Sequence, residues 1–398
     1  MLSSSPASRF TSSAVEAPSF FPEIAAFPRE EAFRLVREAT EADVRRALAA
    51  EAPLEARDVA ALISPAARPH LEALAQRAHA VSVQRHGRVV VLYVPLYLSN
   101  FCVNHCIYCG FKAGIKRIRR ETLTRDQIER EAARLRDMGF RHLLLVSGED
   151  HDEMPLEYMV DAVRICRRSF DSVAIEFESL PAHAYEALVE AGCDGMTLYQ
   201  ETYDRDVYKW AHPGKGPKSN FANRIDAPDR AARAGMRTLG LGALLGLGDW
   251  RFEVLALYMH ARYLMRHFWQ TRLSLGFPRL RNETGGFQTK RPVSDRQFVQ
   301  LFLALRMALP DAEFVLSTRE SPFMRRHLLP LGVNRVSAGS KTTPGGYANE
   351  TDAGAQFEIV DERPPREVAE MIAELGYEPV WKDWDHGFHD DMSGLAHQ

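Results

Sequence analysis

The sequence is poor in the features that mark membrane, secreted and nucleic-acid-binding proteins. Its 398 residues include only five cysteines, too few for the disulfide framework of a small secreted protein. No apolar run approaches the ~18 residues that a membrane-spanning helix needs. The formal net charge of −3 provides no basic surface for nucleic acid or an anionic membrane, and residues 1–30 lack the apolar core of a secretory signal. We therefore expect a protein of a reducing, cytoplasmic compartment, with no nucleic-acid and no membrane partner.

Short apolar runs alternate with helical stretches over most of the chain. Residues 1–29 are expected to form a disordered arm, and residues 30–88 have helical periodicity. Eight apolar runs follow, separated by amphipathic segments that often end in glycine. The alternation predicts an α/β fold with a parallel sheet, and eight such units close naturally into a (β/α)8 TIM-type barrel over residues 89–340. A doubly wound open sheet is the alternative, and residues 341–398 are expected to form a C-terminal extension packed on the barrel.

Polar residues directly follow several of the predicted strands. Ser147 and Glu149 follow the second strand, Glu201 follows the fourth, Arg319 follows the seventh, and Ser337 lies at the eighth. Because the carboxyl ends of barrel strands meet at one face, we expect these side chains to share an active-site face. Three clustered cysteines follow the first strand and open onto the same face.

These cysteines, Cys102, Cys106 and Cys109, form a C-x3-C-x2-C motif. Three thiolates suit a soft metal, but a structural zinc site normally closes with four ligands, and His105 has little reach between two of the cysteines. A [4Fe–4S] cluster fits better, because three irons take cysteine sulfur and one iron stays open for reaction. A zinc-binding scaffold protein without catalysis is the alternative from another class.

The motif, with Tyr108 before its last cysteine, resembles the signature of the radical S-adenosylmethionine (SAM) superfamily. Within that superfamily the chain resembles the 2-iminoacetate synthase family through ordered blocks that include HLLLVSGE, YQETYDRDVY, FPRLR, LSTRESP, VSAGSKTTPGGYA and PVWKDWD. A related tyrosine lyase of hydrogenase maturation carries additional C-terminal cysteines, whereas this chain has none after Cys193. A radical SAM tryptophan lyase shares fewer of the blocks, and biotin synthase is a more distant barrel.

The resemblance implies an activity, cofactors and partners. The expected enzyme is a carbon–carbon lyase that splits the Cα–Cβ bond of L-tyrosine into 2-iminoacetate (dehydroglycine) and p-cresol for thiazole formation in thiamine biosynthesis. A [4Fe–4S] cluster and SAM would generate the 5′-deoxyadenosyl radical, with electrons from a low-potential donor such as flavodoxin or ferredoxin. Direct transfer of the unstable product to thiazole synthase is expected. Another aromatic amino acid lyase, such as the tryptophan enzyme, is the alternative activity.

The resemblance also implies roles for individual residues. The cluster would be held by Cys102, Cys106 and Cys109. The expected SAM-binding residues are Tyr108, Ser147, Glu149, Glu201 and Arg224. The expected catalytic residues at the substrate are Tyr97, Arg319 and Ser337, with Arg319 binding the substrate carboxylate.

Several segments have more than one interpretation. Arg319 could instead form an ion pair with Glu320, and Arg279 is expected to be functional without an assigned ligand. Residues 339–348 (GSKTTPGGYA) could form a mobile lid or a docking loop. The basic run at residues 112–120 is expected to be a solvated face, with contact to an acidic electron donor as a second possibility. Trp381 and Trp384 are expected to pack and seat the C-terminal tail.

Overall fold

The computed structural model describes residues 18–51, 53–280 and 286–382, and it begins with a helical layer. Before the first strand lie helices α1 (Phe21–Ala25), α2 (Arg29–Glu38), α3 (Glu41–Ala49), α4 (Ala56–Leu62) and α5 (Leu71–His86), with a 3-10 turn at Pro65–His70. Helix α3 begins at a capping box, in which the Thr40 hydroxyl accepts from the Asp43 N–H and Asp43 accepts from the Thr40 N–H. Such reciprocal caps satisfy backbone donors that a helix leaves unpaired.

Part of the expected disordered arm is packed on the folded chain. Phe20 is fully buried and stacks on His260, with ring centroids 4.4 Å apart. Ile24 of α1 is also buried. Residues 18–29 are therefore ordered, contrary to the predicted disordered arm. The reason is that two large apolar side chains in this stretch, Phe20 and Ile24, are removed from water by packing. Residues 1–17 lie outside the described part of the chain.

Eight parallel strands close into a barrel, as the spacing of apolar runs predicted. They are β1 (Val89–Ser99), β2 (His142–Ser147), β3 (Ser172–Glu176), β4 (Gly195–Thr197), β5 (Thr238–Gly242), β6 (Arg272–Gly276), β7 (Glu313–Leu316) and β8 (Arg335–Ser337). Each pairs with its neighbour, and β1 closes the barrel by pairing with both β2 and β8. The doubly wound alternative is therefore wrong. A ninth strand, β9 (Glu378–Val380), adds to Val89–Val91 at the start of β1.

Helices cover the outside of the barrel. After β1 they are α6 (Arg125–Asp137), α7 (Leu156–Arg167), α8 (Ala182–Glu190), α9 (Arg205–Ala211), α10 (Phe221–Ile225), α11 (Ala227–Arg233), α12 (Trp250–His267), α13 (Asp295–Ala308), α14 (Pro322–Leu328) and α15 (Pro365–Glu374), with 3-10 turns at Pro217–Ser219 and Leu329–Leu331. Cys166 and Cys193 are buried in this apolar layer. Within the described ranges, no helix is long and apolar enough to cross a membrane.

The loop at residues 339–348 is fastened to the barrel rather than free. Its Gly345 N–H donates to the Tyr97 carbonyl at 3.2 Å. The Tyr347 hydroxyl donates to the Pro95 carbonyl at 2.6 Å, and the Tyr347 N–H donates to Glu131 Oε2 at 2.8 Å. These bonds hold the loop against β1 and α6, and its interpretation as a mobile lid or a docking loop stays a prediction. Further along, Trp381 packs on Phe140, whereas Trp384 lies outside the described residues.

Candidate active site

The cysteine loop lies directly after β1 and is closed by an arginine from the basic run. The Arg120 guanidinium donates to the carbonyls of Phe111 at 2.7 Å and Lys112 at 2.9 Å, and also to that of Asn100. Its neighbour Arg119 forms an ion pair with Asp352. Arg120 thus binds backbone carbonyls of the cysteine loop, and Arg119 binds a carboxylate of a distant segment. The basic run is therefore only in part the solvated face that was expected.

The three cysteines border one pocket, called here the cysteine pocket. It is lined by Cys102, Cys106, Cys109, Ser147, Gly148, Glu149, Glu201, Lys218 and Arg224, among others. Burial raises the pKa of the Cys106 thiol to about 11 and that of Cys109 to about 12. Among the described residues no three His, Cys, Asp or Glu side chains converge as ligands of one metal ion. Separate thiols around a shared volume suit a cluster, in which each cysteine binds its own iron.

Ser147 and Gly148 shape the wall opposite the cysteines. A Cβ atom on Gly148 would lie 2.0 Å from the Phe101 carbonyl oxygen and 3.1 Å from Cys102 Cβ. Only glycine permits this close approach of the strand end to the cysteine loop. The Ser147 hydroxyl is buried with no hydrogen-bond partner among the described residues. A buried hydroxyl of this kind is completed by a polar ligand, so the pocket fits a cofactor with hydrogen-bonding groups.

Glu149 lies beside the cysteines and is held by Asn104. The Asn104 amide donates to Glu149 Oε2 at 2.5 Å and approaches Cys102 Sγ at 3.8 Å. The Asn104 side-chain oxygen in turn accepts from the Lys218 N–H at 3.1 Å. One buried amide therefore ties the cysteine loop to the carboxylate and to the loop that carries Lys218.

Glu201 lies at the centre of a buried charge cluster. Its Oε1 is 2.8 Å from Lys218 Nζ and 3.7 Å from Arg224 Nη2. Burial alone would raise the pKa of Glu201, but the two cations outweigh it and lower that pKa. The backbone of Glu201 has φ of 70°, an unfavourable conformation for a residue with a side chain and one that occurs at functional sites.

The sequence alone did not indicate the contacts that Lys218 and Glu253 make around Glu201. Lys218 lies in a glycine- and proline-rich loop with no strand pattern, and only the folded chain brings it to Glu201. Glu253 of α12 fixes the backbone beside Glu201 by accepting from the Thr202 hydroxyl at 2.5 Å and the Tyr203 N–H at 2.7 Å. Tyr108 is likewise fixed, because its hydroxyl lies 2.7 Å from His212 Nε2.

A second cavity, called here the inner cavity, lies within the barrel mouth. Its walls include Tyr97, Arg319, Ser337, Glu176, Tyr199 and Gln356. The Tyr97 hydroxyl donates to Gln356 Oε1 at 2.7 Å, and the Arg319 guanidinium lies over the Phe357 ring at 3.4 Å. Ser337 Oγ accepts from the Thr318 N–H at 3.2 Å. All three residues expected at the substrate thus border one enclosed space.

The inner cavity and the cysteine pocket share a wall. The residues that line both are Cys109, Val146, Glu176, Tyr199, Glu201, Lys218 and Gln356. Tyr199 fits there because two strands opposite it carry glycine. A Cβ on Gly242 would lie 2.4 Å from Tyr199 Cδ1, and a Cβ on Gly276 would lie 2.1 Å from the Tyr199 hydroxyl oxygen.

The guanidinium of Arg279 forms its hydrogen bonds with other groups of the protein. Its guanidinium donates to Glu320 at both carboxylate oxygens, with Nε at 2.8 Å from Oε1. It also donates to Asp295 Oδ1 at 2.6 Å and to the Val293 carbonyl at 3.1 Å. This fork anchors the loop after β6 to the segment after β7, which gives Arg279 a structural position rather than a ligand.

Comparison with known proteins agrees with this architecture. The Radical SAM superfamily model matches residues 96–259, and the Biotin and Thiamin Synthesis associated domain matches residues 277–378. The chain is a radical SAM enzyme, whose cofactors are a [4Fe–4S] cluster and SAM and which takes its electrons from a reductant. It is 46% identical over 347 residues to the 2-iminoacetate synthases of Salmonella typhimurium and Escherichia coli, covering 87% of this chain and 91% of each relative. The chain therefore belongs to the 2-iminoacetate synthase family.

A solved structure shows the same fold over most of its length. The crystal structure of HydG, a maturase of the [FeFe]-hydrogenase, superposes with a TM-score of 0.84 at 31% sequence identity. The match covers 89% of this chain and 80% of HydG. The two chains therefore share their fold over most of their length.

Proposed function

We propose that this chain cleaves the Cα–Cβ bond of L-tyrosine, giving 2-iminoacetate and p-cresol, as a step in thiazole formation. The observation that carries the proposal is the shared wall between the cysteine pocket and the inner cavity. A substrate in the inner cavity would lie beside the cofactors, and the 46% identity to two 2-iminoacetate synthases supports this substrate.

The cysteine pocket would hold both cofactors. When bound, the cluster and SAM supply an organic radical that removes a hydrogen atom from the substrate. Cys102, Cys106 and Cys109 would bind three irons. Glu149 would accept hydrogen bonds from the ammonium group of SAM, with Ser147 and Tyr108 on the adjoining walls.

Glu201 and Arg224 would bind the remaining polar groups of SAM. Glu201 would accept from the ribose hydroxyls, and Arg224 would donate to the carboxylate. The Arg224 guanidinium already donates through Nε to the Tyr199 carbonyl at 2.9 Å, which fixes its plane. Lys218 adds a third charged group to this site, because it holds Glu201 in an ionised, oriented state.

Arg319 would bind the carboxylate of the substrate. Burial lowers the pKa of the Arg319 guanidinium, a sign that the fold incurs a desolvation cost to place a cation there. A bound carboxylate offsets such a cost by forming charge-assisted hydrogen bonds. Ser337 and Tyr97 border the same space and would orient the amino acid with its amine toward the shared wall.

The walls would also protect the product. An imine hydrolyses in water, so the reaction needs a closed cavity and a short path to the next enzyme. Residues 339–348 are fastened over the barrel mouth, and Gln356 and Phe357 cover the adjoining side. We propose that 2-iminoacetate passes directly to thiazole synthase and that flavodoxin or ferredoxin supplies the electrons.

An anaerobic assay tests the proposal. The reconstituted protein is incubated with SAM, dithionite and either L-tyrosine, L-tryptophan or L-phenylalanine, and p-cresol is measured together with 5′-deoxyadenosine. We expect p-cresol with L-tyrosine alone. Formation of 3-methylindole from L-tryptophan would move the proposal to a tryptophan lyase, and zinc in place of iron and sulfide would contradict it.

A second assay tests the partner. Anaerobic co-purification with thiazole synthase is expected to retain both proteins, and added thiazole synthase should decrease the amount of glyoxylate formed by hydrolysis of the imine. Direct transfer would be contradicted if the same amounts of glyoxylate and p-cresol formed with and without thiazole synthase.

A further inference from the structure

Glu176 places a carboxylate inside the barrel at the end of β3. Val173 and Ile175 of this strand pack into the apolar layer outside the barrel, whereas Ala174 and Glu176 face its interior. Glu176 borders both the inner cavity and the cysteine pocket. The sequence conceals it, because VAIEF reads as a mostly apolar strand.

Three other interior acids are bound by groups of the protein. Glu253 accepts two hydrogen bonds, and Glu131 accepts from two backbone N–H groups. Asp361 is paired with Arg325 and Arg363. For Glu176, no hydrogen bond or ion pair occurs within the part of the chain that the structure describes. An interior carboxylate without a partner is costly unless a ligand supplies one.

The charges around the cavity indicate the chemistry of that ligand. Glu201 and Lys218 form a pair at 2.8 Å, and the walls of the same cavity also carry the positive Arg319 and the negative Glu176. Burial, followed by repulsion from Glu201, raises the pKa of Glu176 to about 7, which a bound cation would reverse. A zwitterionic amino acid carries the complementary pair of charges.

The location of Glu176 at the wall shared by the two pockets indicates which group of the substrate it would contact. In the proposed function, the amine is the group from which the hydrogen atom is removed, so it must lie at the wall shared with the cysteine pocket. We propose that the Glu176 carboxylate binds the α-ammonium group of the amino-acid substrate and holds it at this wall. The inference rests on the proposed function and adds a substrate-binding residue to it.

Binding measurements with matched ligands test the inference. The reconstituted holoenzyme with SAM is examined by equilibrium dialysis against L-tyrosine, tyramine, which lacks the carboxylate, and 3-(4-hydroxyphenyl)propanoate, which lacks the amine. Since a charge-assisted hydrogen bond contributes roughly 1.5–3 kcal/mol, Glu176→Gln should weaken binding of L-tyrosine and tyramine by about 10- to 100-fold. Binding of 3-(4-hydroxyphenyl)propanoate should change by less than about threefold, because it offers no cation.

Two outcomes would overturn the inference. Equal weakening of all three ligands would assign Glu176 to the phenol or to the general shape of the cavity. Unchanged binding of L-tyrosine, with p-cresol still formed by the wild type, would reject the inference and leave the proposed function intact. Glu190→Gln removes an exposed charge from α8 and serves as the matched control, and intact cluster absorbance in both variants shows that the fold persists.

Discussion

Polar side chains inside this barrel form two regions that differ in what surrounds them. The chamber set borders the two pockets and consists of Cys102, Cys106, Cys109, Glu176 and Arg319. The wall set is buried and consists of Arg279, Arg325, Asp361, Cys166 and Cys193, which line neither pocket, together with Glu320, which lines the inner cavity but is paired with Arg279. In the wall set, Arg279 pairs with Glu320, and Arg325 pairs with Asp361 while donating to the Ser337 carbonyl.

The difference shows how burial alone misleads as a sign of function. Arg279 and Arg319 are both interior arginines that follow predicted strands. Arg279 meets two carboxylates of its own chain, whereas Arg319 lines the inner cavity and lies over an aromatic ring. A charge held by carboxylates away from the cavity contributes to structure, whereas a charge on the cavity wall is a candidate for ligand binding.

Cysteine substitution provides the largest contrast between the two sets. Cys106→Ala should abolish the cluster absorbance and SAM cleavage, because two thiolates cannot retain the three-cysteine cluster. Cys166→Ala should keep both, since its thiol lies in the apolar layer. Iron and sulfide content, visible absorbance and 5′-deoxyadenosine formation measure the effect. If the Cys106→Ala variant still cleaved SAM, the assignment of the three cysteines as cluster ligands would be wrong.

Arg319→Ala should separate SAM cleavage from product formation. We expect p-cresol formation to fall by roughly 100-fold, because a charged partner of the substrate is lost at a cost of about 2–5 kcal/mol. The cluster should load normally, and Arg319→Lys should retain part of the activity by keeping the charge without the fork. The ratio of p-cresol to 5′-deoxyadenosine is the measurement, and an unchanged ratio would contradict the role in binding the carboxylate.

Arg279→Ala should act on stability instead. Removal of one member of a buried ion pair typically costs about 3–5 kcal/mol. Asp295→Asn breaks only the contact to a carboxylate that is 65% exposed, and it should cost less than about 1 kcal/mol. Urea unfolding of the metal-free protein tests both. The wall interpretation would fail if the two variants were equally stable.

Glu253 predicts a smaller effect that depends on pH. Burial raises the pKa of this carboxyl to about 8 in the folded protein, above its ordinary value of 4.5. The folded state therefore keeps a proton that the unfolded state has lost, and the contribution of Glu253 to stability falls as pH rises from about 4.5 to 8. Glu253→Gln should flatten the decline in unfolding free energy between pH 5 and 8, and an identical slope would argue against a protonated Glu253.

The fold could be predicted to a large extent because its signals are local. Apolar runs of strand length alternating with amphipathic helices indicate a parallel barrel, and C-x3-C-x2-C is specific by its spacing alone. Polar residues at strand ends could be assigned to one face for the same topological reason. Ser147, Glu201, Arg319 and Ser337 do line the two adjoining pockets, although their roles stay predictions.

The remaining part of the site depends on contacts between distant segments. Lys218 comes from a loop without periodicity, and Gln356 comes from the C-terminal segment more than 250 residues away from its partner Tyr97. Glu176 is hidden within an apolar strand. Residues 18–29 were predicted as a disordered arm because the stretch has no regular pattern, although Phe20 finds a stacking partner at His260.

The ring of Tyr199 occupies space that is open because β5 and β6 carry glycine at positions 242 and 276. Tyr199 is one of the seven residues on the wall that the two pockets share, and it can be changed without altering any charge there. A methyl group at Gly276 would lie 2.1 Å from the Tyr199 hydroxyl oxygen and would displace the ring, while Tyr199→Ala would remove this part of the wall between the two pockets. The size of the inner cavity can therefore be changed at Tyr199 or at the glycines that accommodate its ring.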